Sequence, residues 1–181
     1  MVQLGIDFDP GQYQPAALCY YYKTDDLNKA VDRLRSGDYH EGKEGFLIYV
    51  TSRHSPSLAP TGKYAVTIYT VAPDTLAEGD WNSRREELAD KLIAEAEKHI
   101  PGLREHTLTS LVLTPQEFRQ RTHQKHHSFG GLPPVMGNKA PSFKTPIPGL
   151  WFIGAQSESA GGVQGVMLGA QKVAKRILKG E

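Results

Sequence analysis

Residues 145–178 read TPIPGLWFIGAQSESAGGVQGVMLGAQKVAKRIL, and the order of patterns in this stretch decides how the C-terminal part of the chain folds. The apolar run 150–154 predicts a short buried strand, because buried strands are brief apolar runs bounded by turn residues. After Gly161 and Gly162, apolar residues recur at the helical period. This pattern predicts a helix that starts at about Gly162 and stops at Gly180.

The two glycines at the predicted helix entrance leave its first turn without side chains. A planar ligand can therefore approach the backbone N–H groups of Val163, Gln164 and Gly165, which lie at the positive end of the helix dipole. A flavin suits such a site, because negative charge develops at its N1 and C2 carbonyl edge on reduction. Glycines in this position also serve close packing of a helix on a strand, and the residues alone leave both readings open.

Outward from this segment, the preceding sequence alternates between strand and helix patterns, and its middle part follows the order β-α-β-β-α-β. This order predicts an α/β fold of α+β character, with a mixed or antiparallel sheet. The strands are predicted over 2–8, 16–23, 45–51, 63–71 and 107–113. The helices are predicted from Thr24, with Asp25 and Asp26 in the first turn, from Ser83, with the capping-box spacing Ser-Arg-Arg-Glu, and from Thr114 to about Arg121.

Three regions follow from these patterns. Residues 1–121 form the predicted α/β domain, and residues 150–181 form the strand and helix described above. Between them, residues 122–149 show neither period and contain five prolines and four glycines, so they are predicted to be a connecting loop.

Composition narrows the class of protein. With 21 Lys and Arg against 20 Asp and Glu, the net charge of +1 gives no field that would hold nucleic acid, so no nucleic-acid partner is expected. Cys19 is interpreted as a small buried hydrophobe rather than a reactive thiol, and a single cysteine fits a reducing compartment. The sequence has neither a membrane-spanning apolar run nor a secretory signal pattern, which favours a cytoplasmic location.

Two polar clusters are further candidates for a functional site. The first lies in the loop and consists of His123, Lys125, His126 and His127. It could be a zinc site, a solvent-facing cluster or part of a cavity lining. No metal site is expected, because no cysteine or carboxylate accompanies these residues. Arg53 and His54 follow an apolar strand, where an ion pair of the arginine is favoured over catalysis. No catalytic residue is assigned.

The segment TPIPGLWFIGA followed by GGVQGV resembles the C-terminal flavin-binding segment of FAD-dependent oxidoreductases of the phytoene desaturase and carotenoid isomerase kind. These enzymes belong to the amine oxidase-like superfamily. The resemblance continues elsewhere in the same order: SRHSPSLAPTGKYAVTIYTVAP at 52–73, DWNSRREELADKLIAEAEKHIPGLREH at 80–106 and LTPQEFRQR at 113–121 are similar to family segments. It therefore spans nearly the whole chain.

The resemblance implies a set of cofactor and substrate contacts. Gly154 and Ala155 correspond to the contact with the ribityl-pyrophosphate chain of FAD, and Gly162, Val163 and Gln164, together with Gly161, to the contact with the isoalloxazine. Residues 1–121 would be a substrate-binding domain whose sheet covers one wall of an apolar tunnel. The implied reaction is hydride transfer from a hydrophobic, polyene-like substrate to the flavin, with desaturation, saturation and isomerisation all open.

The sequence departs from the family pattern in one respect. The strand-GxGxxG-helix that holds the ADP half of FAD does not occur in these residues. The chain is therefore interpreted as a C-terminal fragment or split partner that needs an N-terminal dinucleotide-binding part, and that binds FAD poorly without it. Peripheral membrane contact is a further expectation. Apolar residues between 151 and 173 are expected to drive homo-oligomerisation or displacement of this segment. The alternative is a non-catalytic module for association or apolar-ligand binding.

Overall fold

A computed structural model describes residues 1–123, 125, 139–159 and 162–180. The chain forms two compact units, Met1–His127 and Ser128–Glu181. The first unit contains the sheet, and the second contains a short hairpin and one long helix. The α/β character expected from the sequence is confirmed.

The N-terminal unit is built on a five-stranded sheet in which every neighbouring pair is antiparallel. Its strand order is β2-β3-β4-β1-β5, so β2 and β5 form the two edges. The strands are β1 Val2–Ile6, β2 Leu18–Tyr22, β3 Gly45–Val50, β4 Tyr64–Tyr69 and β5 Thr107–Val112. All five lie within the predicted ranges.

One face of this sheet carries the hydrophobic core. Along β1 the side chains alternate between buried and accessible, which aligns Val2, Leu4 and Ile6 on the inner face. Helix α3, Arg85–Glu97, covers this face and contributes Leu92 and Ala96, both nearly inaccessible to solvent. Burial of apolar side chains between sheet and helix is therefore the main force holding this unit together.

Helix α1, Leu27–Arg35, begins later than the sequence pattern predicted. The side chain of Asp26 accepts a hydrogen bond from the Lys29 N–H at 2.9 Å, which makes Asp26 the cap rather than a first-turn residue. Thr24 instead accepts from the Asp26 N–H at 3.2 Å outside the helix. None of the nine residues of α1 is buried, so its apolar stripe lies on an open face.

Helix α3 also begins after its predicted start, and the predicted capping box at Ser83 is wrong. The Ser83 hydroxyl donates to the Asp80 carboxylate at 2.7 Å, and the same carboxylate accepts the backbone N–H groups of Asn82 and Ser83. Because Asp80 closes a turn there, Ser83 is not available as a cap. Helix α4, Pro115–Thr122, begins where predicted, and it does have a capping box, formed by Thr114 and Glu117. A further short helix, α2, occupies Thr51–His54 directly after β3.

In the C-terminal unit, the helix predicted from Gly162 is confirmed as α5, Gly162–Leu178. The predicted strand 150–154 is wrong: within the described residues, Trp151 forms an isolated bridge with Lys144, and Leu150 is 51% exposed. A strand needs a neighbour that supplies a continuous ladder, whereas among the described residues the neighbour of this segment is the stretch before Pro146 and Pro148 in the same hairpin. No described helix is long and apolar enough to cross a membrane.

Candidate functional site

The turn that carries Gly154 and Ala155 is held by hydroxyl groups. Gly154 has a φ of +125°, which favours glycine, and its carbonyl accepts hydrogen bonds from Ser157 Oγ at 2.7 Å and Ser159 Oγ at 2.9 Å. Ser157 is buried, so this arrangement is part of the unit's interior. The two serines were not predicted as site residues, although a Ser-x-Ser pattern after a glycine turn is a usable signal.

The entrance of α5 is open at the position where a ligand was expected. Gly162 has a φ of +82°, and a Cβ built on it would meet no described atom within 4 Å. Val163 in the same turn is 78% exposed. Gly161 lies outside the described residues. The first N–H groups of a helix have no intrahelical acceptor, so Val163 and Gln164 present donors at this open entrance.

A third glycine has a different role. A Cβ on Gly169 would lie 2.3 Å from Ser159 Cβ and 3.2 Å from Phe143 Cζ. The absence of a side chain therefore lets α5 approach the serine turn closely. This is the packing role that the sequence analysis left open for the glycines at the helix entrance, and the structure assigns it to Gly169, two turns further along the helix.

The other end of α5 carries positive charge. Lys172, Lys175 and Arg176 line a cleft of about 450 Å³ together with Phe143 and Glu158. Glu158 is committed to the hairpin, because its carboxylate accepts the Phe143 N–H at 2.9 Å. The guanidinium of Arg176 lies 5.0 Å from the centre of the Trp151 ring, a cation–π distance. These contacts fasten the hairpin to the last turns of the helix.

In the N-terminal unit, the face of the sheet opposite the core is rich in tyrosine. Tyr20, Leu47 and Tyr69 are successive cross-strand neighbours on β2, β3 and β4. Tyr20 is 57% exposed and stacks on Tyr22, with 6.1 Å between ring centres and 10° between ring planes. Burial raises the pKa of the Tyr69 phenol, so this part of the face stays uncharged over the physiological range. We call this surface, formed by Leu18, Tyr20, Tyr22, Leu47, Tyr49 and Tyr69, the tyrosine face.

The histidine cluster of the loop and the Arg53–His54 pair show no arrangement of a reactive site among the described residues. His123 is the left-handed C-cap of α4, and His126 and His127 lie outside the described residues. Among the residues that are described, no group of three or more metal-ligating side chains occurs. Arg53 lies 3.8 Å from Asp9, which supports the ion-pair interpretation, and His54 Nδ1 lies 3.1 Å from the Tyr49 hydroxyl.

No protein-family model matches the chain. A lycopene-forming phytoene desaturase of Pantoea ananas is 30% identical over 152 residues, covering 77% of this chain and 30% of that protein. A 4,4'-diapophytoene desaturase of Staphylococcus aureus strain Newman is 24% identical over 190 residues, covering 99% of this chain and 37% of that protein.

A vertebrate protein is similar over a shorter region. Pyridine nucleotide-disulfide oxidoreductase domain-containing protein 2 of Rattus norvegicus is 30% identical over 127 residues, which is 64% of this chain and 22% of that protein. The chain thus spans between 22% and 37% of the length of these three relatives. Over most of its length it is a homologue of the phytoene and diapophytoene desaturases, and the family resemblance inferred from its sequence motifs is confirmed.

Proposed function

We propose that this chain is the substrate-facing and flavin-facing part of a FAD-dependent oxidoreductase that acts on a hydrophobic, polyene-like substrate. The observation that carries the proposal is the homology to carotenoid desaturases over most of the chain, together with the open glycine entrance of α5. FAD, when bound, would supply the hydride acceptor.

The fit of the chain to a flavin rests on its two glycine corners. Gly154 and Gly162 both have positive φ, and a Cβ at either position would meet no described atom within 4 Å. Side-chain-free backbone at these corners permits the close approach that a planar ring system requires. Gly154 and Ala155 would contact the ribityl-pyrophosphate chain, and Gly161, Gly162, Val163 and Gln164 the isoalloxazine.

The electrostatic contribution of α5 follows from its orientation. Its N-terminus carries the positive end of the helix dipole, and its basic residues lie in the last turns. Donors at the entrance would favour the negative charge that a flavin gains at its N1 edge on reduction. The protein would therefore tune and position the cofactor without a dedicated acid or base.

The tyrosine face is our candidate for the substrate side. Its side chains are uncharged and mostly aromatic; Leu18, Tyr20 and Tyr22 are exposed, whereas Leu47 is buried. Such a surface suits an extended apolar molecule, since aromatic rings supply large contact area with little loss of side-chain entropy. The adenylate half of FAD would be held by a dinucleotide-binding part, either on the same polypeptide or on a separate chain.

The proposal is tested by flavin content. The partner is the portion of the Pantoea ananas phytoene desaturase that lies outside the region matched by this chain, produced together with it as a second polypeptide. We expect the co-purified complex to be yellow and to contain near-stoichiometric FAD. The chain alone is expected to show no saturable quenching of flavin fluorescence at micromolar concentration, because it offers few contacts and no adenylate site.

A matched pair of variants tests whether the flavin contacts the chain at Gly162. Gly162→Ala and Gly62→Ala impose similar backbone strain, since both glycines have positive φ and neither Cβ would meet a described atom within 4 Å. Gly162→Ala is expected to lower flavin content at least several-fold, and Gly62→Ala to leave it unchanged. Equal flavin content in both variants, or a colourless complex with the native sequence, would favour the non-catalytic association module instead.

A further inference from the structure

Within the described residues, no strand pairs with the outer edge of β2, whose hydrogen-bonding groups form a regular array. Two backbone hydrogen bonds lie at the ends of the β2–β3 pair. The Val50 N–H donates to the Ala17 carbonyl at 2.7 Å, and the Lys23 backbone N–H donates to the Glu44 carbonyl at 3.3 Å. Pairing alternates in antiparallel ladders, so the odd-numbered residues of β2 face β3. The N–H and C=O groups of Leu18, Tyr20 and Tyr22 consequently point away from the sheet.

Within the described part of the chain, β2 lacks several of the features that normally protect an edge strand. Residues 18–22 read LCYYY, without charge or proline, and their register with β3 is continuous. The opposite edge of the sheet differs, because the β1–β5 pairing shifts register between Gly5 and Ile6. Within the described part of the chain, β3 is the single strand that pairs with β2. Of the two edge strands, β2 is therefore the one with the regular register.

We propose that a second copy of this chain pairs with the β2 edge, forming an antiparallel β2–β2 contact about a twofold axis at Tyr20. An antiparallel strand is complementary to itself, so one edge supplies both halves of the interface. Centring the axis on Tyr20 places the outward-facing groups of Leu18 opposite those of Tyr22 of the other copy. All three outward-facing residues are then hydrogen-bonded, and two five-stranded sheets become one.

The side chains of β2 also favour a second copy of the chain as the partner at this edge. Tyr22 is 77% exposed and Leu18 is 40% exposed, and both lie on the tyrosine face beside Tyr20. Pairing brings these apolar groups together with no like charges opposed, because Lys23 at the strand end is already paired with Glu95 at 2.8 Å. Two exposed tyrosines per copy, at about 150–250 Å² each when fully buried, place the contact below the range of stable interfaces and among the weak, transient ones.

The small interface sets the expected strength. We expect a reversible dimer with a dissociation constant on the order of 10 µM, measured by sedimentation of the full chain over a range of concentrations. Tyr20→Lys places two ammonium groups next to each other at the axis, and it is expected to weaken association at least tenfold. Tyr20→Phe, which keeps the apolar ring, is expected to retain the dimer. A chain that remains monomeric well above this concentration overturns the proposal.

Two further measurements separate this edge from the exposed apolar residues of α5. Met167→Lys alters α5 and is expected to leave the dimer intact; loss of association in Met167→Lys but not in Tyr20→Lys would overturn the proposal. Amide hydrogen exchange followed by NMR tests the pairing itself. The N–H groups of Leu18, Tyr20 and Tyr22 are expected to gain protection as concentration rises, and unchanged exchange at these three amides in the associated state contradicts it.

Discussion

Gln14→Ala is expected to lower the free energy of unfolding of the N-terminal unit by about 2–5 kcal/mol, although Gln14 lies outside every helix and strand. Its side chain is almost completely buried. Gln14 Nε2 donates to the carbonyls of Ala16, Ala17 and Ile48 at 2.9, 3.3 and 3.2 Å, and its Oε1 accepts from the Tyr21 hydroxyl at 3.0 Å.

The expected loss has two physical parts. Truncation leaves a cavity, and it also leaves a carbonyl of β3 and a partly buried phenol without this partner. The matched control is Gln12→Ala, since Gln12 lies two residues away and is exposed. Urea unfolding, followed by the fluorescence of Trp81 in a Trp151→Phe background, measures both variants. Similar midpoints for the two substitutions would show that Gln14 does not organise β2.

Gly169→Ala is expected to destabilise the C-terminal unit by about 1–3 kcal/mol. Alanine normally improves an internal helix position by nearly 1 kcal/mol over glycine, so the sign of the effect is informative. The steric cost dominates here because the new Cβ would lie 2.3 Å from Ser159 Cβ. Either α5 or the serine turn must move, and the turn carries the candidate cofactor residue Gly154.

A double-mutant cycle separates this clash from a general helix effect. Ser159→Gly removes the Cβ that Gly169→Ala would strike, so the double variant is expected to lose less stability than the sum of the two single changes. Trp151 fluorescence in a Trp81→Phe background reports on this unit. Simple additivity, or a more stable Gly169→Ala protein, would mean that the helix and turn are not in close contact.

The strands, α5 and Gln14 show which features of the fold local sequence patterns can predict and which they cannot. The five strands and α5 follow from local periodicity, because the apolar alternation and the glycine before the helix lie within a few residues of the structures they produce. Gln14 is different, since one of its partners is Ile48, 34 residues away. Its surroundings in the sequence resemble any polar loop, and nothing local marks it as buried.

The misplaced elements have equally specific causes. Ser83 has the spacing of a helix cap, but the carboxylate of Asp80 takes the hydroxyl and closes a turn first. Residues 150–154 have the apolar composition of a strand, but composition does not provide a neighbouring strand to pair with. For the candidate site, Gly161 and Gly162 were proposed from their pattern and Gly154 from the family resemblance, whereas the serine hydroxyls that hold Gly154 depend on three-dimensional contacts.

The most direct test of the central claim, that the N-terminus of α5 meets the isoalloxazine, is the reduction potential of the flavin in the two-chain complex. Gln164→Glu adds a carboxylate at this entrance, and Gln171→Glu makes the same change further along the same helix. We predict that Gln164→Glu lowers the potential by about 30 mV, which corresponds to about 1.4 kcal/mol for a two-electron couple, and that Gln171→Glu leaves it within a few millivolts of the parent. Equal potentials in the parent and both variants, at full flavin content, would contradict the account.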